Sequence, residues 1–194
     1  MIRLFNAFIL LCLSQSALAV DIQPNTLYPK VQLDTSMGKI VVELDRTRAP
    51  ITVDNFLTYV VKGHYDKTLF HRVIAEFVVQ GGGLDLKQEE RPVDAPIINE
   101  SGNGLSNSFG TIAMARDQNP HSATSQFYFN VAENQRLDPS SRRWGYAVFG
   151  EVIEGEEVLT AMSNVETGHN AKLKWPDFPI KDIILEKATL LPRE

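Results

Sequence analysis

The residues best suited to chemistry in this chain lie in one stretch, Phe70-His71-Arg72-Val73-Ile74-Ala75-Glu76-Phe77-Val78-Val79-Gln80-Gly81-Gly82-Gly83. Arg72 is a permanent cation whose planar fork can hold a carbonyl, and Gln80 is an amide inside an apolar run, where a buried polar group needs partners. Period-two alternation sets Val78 and Gln80 on one face of the second segment and Phe77 and Val79 on the other. A short turn separates Arg72 from Gln80 and can bring them together. The pattern equally admits a plainer arrangement, with Arg72 a surface arginine and Gln80 serving a loop backbone. Two further clusters follow. One is Gly110-Thr111-Ile112-Ala113-Met114-Ala115-Arg116 with Ser125-Gln126-Phe127-Tyr128; the other is Leu137-Asp138 with Trp144-Gly145-Tyr146-Ala147-Val148-Phe149-Gly150. They supply aromatics and amides but few good acids or bases.

Several chemistries drop out on spacing. His64, His71, His121 and His169 lack metal-ligand spacing, so no metal is expected, and His71 within a strand reads as a satisfied core residue. Gly81-Gly82-Gly83 is followed by no Lys-Ser/Thr pair and no helix start, which removes a phosphate-binding loop. Ser122 and Ser125 sit in no Gly-x-Ser-x-Gly elbow, so a hydrolase is not indicated. Asn99-Glu100-Ser101 matches a glycosylation acceptor, relevant only where the host modifies asparagine.

The elements that must hold these residues are mostly strands. Residues 31–34 and 39–44 flank Ser36-Met37-Gly38 and predict a hairpin. Residues 50–63 open on Pro50, carry apolar side chains at 53, 56, 57 and 60, and end on Gly63, which predicts an amphipathic helix. Short apolar runs at 69–74, 77–80, 110–115, 126–131 and 147–152 predict further strands. A second helix is predicted over 154–162 and a closing strand over 183–191. About eight strands with two separated helices suggest a mainly β fold, a closed antiparallel barrel covered by helices.

With 43% hydrophobic and 22% charged residues, the 194-residue chain has the composition of a single folded domain. Nineteen basic against 24 acidic side chains leave a net charge of −5, so nucleic acid is not an expected partner. One cysteine closes no intramolecular disulfide. Arg3, the apolar run 4–13 and Ala17-Leu18-Ala19 have the layout of a cleavable signal peptide over 1–19, too short to span a bilayer. Cleavage would leave a domain over 20–194, 175 residues with 18 basic and 24 acidic groups, a net of −6 and no thiol. No membrane association after cleavage is expected, and a monomer is the default.

The run 70–82, the stretch 110–115, Ser125-Gln126-Phe127-Tyr128 and the Gly145-to-Gly150 segment together resemble, in order and spacing, the signature motifs of the cyclophilin family of peptidyl-prolyl cis-trans isomerases. The resemblance spans essentially the whole chain after the leader. Gly-Tyr-Ala-Val-Phe-Gly, where other branches have histidine, is similar to the bacterial secreted branch and implies a periplasmic location. The family fold is an eight-stranded antiparallel barrel capped by two helices.

By this resemblance Arg72 is the catalytic arginine and Gln80 the glutamine that helps hold it. Phe77, Val78, Tyr128 and Leu137 match the pocket for the substrate proline ring, and Ala115, Arg116, Gln126 and Tyr146 the wall along the neighbouring backbone. The implied activity is rotation about X-Pro bonds in exported or folding proteins, with no cofactor, metal or covalent intermediate; the partners are proline-containing polypeptides. Val78, Tyr128, Arg116 and Tyr146 depart from the commonest residues, methionine, phenylalanine, asparagine and histidine. Arg136 stands where many members carry the tryptophan associated with cyclosporin, so weak cyclosporin binding is expected unless Trp144 takes that place. Arg116 at the groove suggests a taste for acidic or polar neighbours of the proline. The rival reading is a binding module or holding chaperone that grips proline segments without turnover; a third is a secreted structural protein that only keeps the barrel.

Overall fold

The computed structural model describes residues 21–193, so the signal-peptide expectation over 1–19 lies outside the described residues. Eight strands close into a barrel: β1 (Lys30–Thr35), β2 (Gly38–Leu44), β3 (Thr68–Ile74), β4 (Val78–Asp85), β5 (Thr111–Met114), β6 (Phe127–Asn130), β7 (Val148–Glu154) and β10 (Ile183–Leu190). Their order around the barrel is β1-β10-β3-β4-β6-β5-β7-β2, and every neighbouring pair is antiparallel. Closure leaves no free sheet edge, which is how this architecture avoids edge-to-edge association.

Helices α1 (Pro50–Val61) and α2 (Glu156–Ser163) complete the core. Pro50 fills the first helical turn, where its missing N–H costs nothing. Ala49 supplies no side-chain cap; instead the Glu100 carboxylate accepts from the backbone N–H of Ile51 (3.2 Å) and Thr52 (2.8 Å). A remote acid thus caps the positive end of α1. In α2, Gly155 takes a left-handed φ of 87° as cap, and Glu156 and Glu157 occupy the first turn. Val53, Phe56 and Leu57 of α1 and Leu159 and Met162 of α2 are fully buried in one cluster with the inward strand residues. Among the described residues no helix is long and apolar enough to cross a membrane.

Two differences from the expected elements have clear causes. β4 runs through the three glycines to Asp85 and does not stop at Gln80. A Cβ at Gly81 would stand 2.7 Å from the Phe70 ring, and one at Gly82, whose φ is +83°, 2.9 Å from Phe127 and Tyr65. Here glycine is a packing requirement of an aromatic core, in which Phe56 and Tyr65 meet Phe127 edge-on at 5.4 and 5.3 Å. The second difference is a separate hairpin, β8 (Thr167–Asn170) and β9 (Trp175–Pro179), in a region without strand signals. Its prolines and lysines hide the pattern, and Phe178 is buried against Leu69 and Leu84.

That hairpin also covers His71 of β3, whose ring lies 5.6 Å from Trp175 and is 3% exposed. His71 is a core residue, but not a satisfied one: its Nδ1 has no hydrogen-bond partner among the described residues. Burial above all lowers its pKa to about 4, the Leu69 backbone opposing the shift and the Arg72 cation adding to it. Between pH 4 and 6.5 the unfolded chain therefore binds the extra proton, and stability rises with pH. His71 contributes fully above its unfolded value near 6.5 and progressively less as pH falls towards 4. Denaturant titrations should show His71→Phe losing about 2–3 kcal/mol less than wild type between pH 7 and 4.5. Parallel losses in the two proteins would contradict this assignment.

Candidate active site

Inter-strand register builds the site on the outer face of the barrel. Arg72 of β3 pairs with Gln80 of β4, Gln80 with Tyr128 of β6, Tyr128 with Ala113 of β5, and Ala113 with Val148 of β7. The flanking residues Val79, Ile112, Phe127 and Phe129 point inward to the main core, so pleating forces this row outward. Val78, Ala113, Tyr128 and Val148 form a separate buried apolar cluster, against which Phe77, Leu105, Ala115, Leu137 and Tyr146 pack.

Over this cluster opens a cavity of about 270 Å³ lined by Arg72, Phe77, Val78, Gln80, Ala115, Arg116, Tyr128, Leu137 and Tyr146. Nine of the ten residues expected at the site from sequence meet there. Gln126 is the exception: it sits behind, its Oε1 accepting from Gln80 Nε2 at 3.0 Å. Gln80 Oε1 in turn accepts from Arg72 Nη1 at 3.4 Å. This relay orients the guanidinium through one long contact; its side chain makes no other hydrogen bond among the described residues, leaving most of its donors unused.

Phe77 corrects the alternation argument. It belongs to the turn before β4, where its N–H donates to the Ile74 carbonyl, so the period of two does not apply and its ring joins Val78 at the cavity. The Phe77 carbonyl is held by Asn134 Nδ2 at 2.8 Å, and the Arg136 guanidinium lies 4.5 Å over its ring. Arg116 turns its guanidinium over Tyr146 at 4.4 Å and donates to the carbonyls of Asp117, Trp144 and Gly145. It clasps the loop that carries Tyr146. The Asn99 amide, in a residue 7% exposed, also donates to the Gly145 carbonyl and to that of Pro120, so this side chain is engaged in the fold. Trp144 leans on His121 at 5.2 Å and does not line the cavity.

Sequence reasoning missed the polar layer underneath. Asn107, 1% exposed, accepts from the Tyr128 hydroxyl (2.7 Å) and from Asn130 Nδ2 (3.2 Å). It donates through its backbone N–H and Nδ2 to Asp138 Oδ1 (2.7 and 2.9 Å) and through Nδ2 to the Tyr146 carbonyl (3.4 Å). The floor, through Tyr128, and the wall, through Tyr146, therefore converge on one amide. Burial, with Tyr146 and Asp138 nearby, holds the Tyr128 hydroxyl well above its usual pKa, so it remains a donor. In sequence Asn107 lies between serines and reads as a loop residue; its flanking runs give no hint of burial. Asn107→Ala should cost about 1–3 kcal/mol by stranding buried partners, and Tyr128→Phe about 0.5–1.5 kcal/mol. In a double-mutant cycle the second change should cost almost nothing once the first is made, whereas simple additivity would refute the hub.

Residues 30–189 match the family model described as cyclophilin type peptidyl-prolyl cis-trans isomerase/CLD. A peptidyl-prolyl cis-trans isomerase of Streptomyces antibioticus is 48% identical over 164 residues, covering 83% of this chain and 98% of that protein. Peptidyl-prolyl cis-trans isomerase B of Escherichia coli is 44% identical over 163 residues, covering 82% and 98%. Among solved structures, a cyclophilin type isomerase of Cryptosporidium parvum shares the fold at a TM-score of 0.70 and 24% identity, over 86% of this chain and 99% of that one. The closed barrel, the motif order and these matches over nearly the full described length agree: the chain belongs to the cyclophilin-type peptidyl-prolyl cis-trans isomerase family.

Proposed function

We propose that this protein catalyses cis-trans rotation about X-Pro bonds, with the proline ring in the cavity over Phe77, Val78, Tyr128 and Leu137 and Arg72 as the catalytic residue. The observation that carries the reading is an oriented but largely unspent guanidinium at the rim of a cavity with an apolar floor. Amide resonance sets a barrier of roughly 18–20 kcal/mol and leaves uncatalysed exchange on the scale of tens to hundreds of seconds. As the bond twists, the nitrogen lone pair localises and becomes a hydrogen-bond acceptor, which it is not in the planar ground state. A guanidinium N–H aimed at it therefore strengthens only near the twisted state, and both directions accelerate. Gln80, backed by Gln126, fixes the cation; the apolar floor grips the ring; Ala115, Arg116 and Tyr146 form the wall for the neighbouring backbone. No bond breaks, and no proton has to be transferred.

The layout of residues 1–19 supports export through a cleavable signal peptide, and the Gly145-to-Gly150 segment supports the bacterial secreted branch and the periplasm. A mature chain starting at Val20 has no cysteine, which suits an oxidising compartment. Intact mass of the protein recovered from cell fractions reads both points, and an uncleaved cytosolic chain would overturn them. Arg136 over Phe77, with Trp144 directed to His121, supports weak binding of cyclosporin; a tight complex in calorimetry would reverse that reading.

A charge-assisted hydrogen bond made in the twisted state contributes about 1.5–3 kcal/mol, so Arg72→Ala should slow catalysed exchange about 10- to 100-fold. Protease-free exchange measurements on an X-Pro peptide test this. No acceleration by either protein would leave the proline-binding module without turnover as the better reading, and equal accelerated rates would remove Arg72 from the catalytic role.

A further inference from the structure

The proline cavity is surrounded by an unusual concentration of one charge. Arg72 and Arg116 line it, Arg136 lies over Phe77 at its edge, and Arg142 and Arg143 stand on the loop that joins Leu137 to Tyr146. These are five of the ten arginines in a chain that carries an excess of acidic residues. None of them forms an ion pair with a described carboxylate. Elsewhere some described cations are paired, Lys39 with Glu154, Arg46 with Asp54, Lys62 with Asp94, Lys67 with Glu186 and Arg193 with Asp21, while Arg48 and Arg91 donate to backbone carbonyls. What sets the rim apart is that five unpaired arginines gather around one cavity. Four carboxylates do lie close in sequence: Glu76 and Glu133 form no ion pair with these arginines, and Glu133 Oε1 accepts from the Phe109 N–H at 3.2 Å. Asp117 contributes only its carbonyl to Arg116, and Asp138 Oδ1 is taken by Asn107.

The arginine-bearing loop is built, not loose. Ser140 and Arg143 pair across a tight turn at 2.9 Å, Arg143 Nη2 donates to the Arg136 carbonyl, and Arg116 Nη2 to the Trp144 carbonyl at 3.0 Å. Behind its tip lies a second cavity of about 450 Å³, bounded by Gly102, Pro139, Arg142, Arg143 and the half-exposed Trp144. The loop connects Leu137 and Tyr146, both of which line the first cavity, and so borders that cavity. Like charges held together without counter-charges repel one another, and a fixed positive rim over low-dielectric walls concentrates anionic groups.

We propose that the rim of Arg116, Arg136, Arg142 and Arg143 makes this groove selective for polypeptide segments whose proline is flanked by carboxylates. The inference rests on the isomerase reading for its position and deepens it by naming the substrate class. The client is recognised by acidic side chains beside the proline.

The test is a matched peptide series, one X-Pro core flanked by Glu, Gln or Lys, followed by NMR exchange for turnover and by calorimetry for binding. In wild type the Glu peptide should exceed the Lys peptide by about tenfold in kcat/KM at low salt, with the margin collapsing at 1 M salt, where the Debye length is about 3 Å. Arg142→Gln with Arg143→Gln should remove most of the margin while leaving the Gln peptide unchanged; the Lys pair at these positions should restore it. Equal handling of Glu, Gln and Lys peptides by wild type, or a preference that survives both the Gln pair and high salt, would overturn the proposal. Failure of the isomerase reading looks different: no peptide is accelerated, and the binding series then decides the charge preference by itself.

Discussion

An antiparallel sheet closed on itself divides its side chains into two populations, because pleating sends neighbours along each strand to opposite faces and closure gives those faces an inside and an outside. The inside here is a packed aromatic core around Phe56, Phe127, Phe129 and Phe149, tight enough to exclude a Cβ at Gly81 and Gly82. The outside row Arg72, Gln80, Tyr128, Ala113, Val148 is fixed by the same registers. A one-residue slip in β4 would send Gln80 into the core and Val79 to the cavity. The geometry of this outer row is thus a by-product of core packing.

What register cannot set, hydrogen bonds do. Side chains in the outer row would be free to rotate, and two polar supports restrain them: Gln126 through Gln80 to Arg72, and Asn107 to Tyr128, Asp138 and the Tyr146 carbonyl. The first support leaves a cation nearly unspent, and the second gathers the cavity's floor and wall on one buried amide. Arg116 adds a clasp across the opposite loop through the carbonyls of Trp144 and Gly145. A rim built from arginines suits this double duty, since each guanidinium can hold several carbonyls while its charge still faces solvent.

The barrel strands and both helices could be read from sequence wherever periodicity and punctuation agreed. Pro50 and Gly63 bracket α1, and Ser36-Met37-Gly38 separates β1 from β2. β4 was legible only as far as Gln80, because glycine reads as a breaker unless the rings it accommodates are known. The β8–β9 hairpin escaped notice because its burial rests on Trp175 and Phe178 amid prolines and lysines. At the site, residue types in motifs were legible, whereas Phe77's face, Gln126's place behind Gln80 and the whole role of Asn107 were not. These depend on turn geometry and on contacts between residues distant in sequence, as with Asn107 and Asp138.

The central claim is that Arg72 acts on the twisted state and not on the bound planar peptide. Its most direct test separates the two: NMR on one X-Pro peptide, giving the dissociation constant and the exchange rate of the bound peptide for wild type and Arg72→Ala. The account predicts a largely preserved affinity with bound-state exchange slowed about tenfold or more. Lost affinity with an unchanged bound-state rate would show that the arginine only holds the ground state, and would contradict the account.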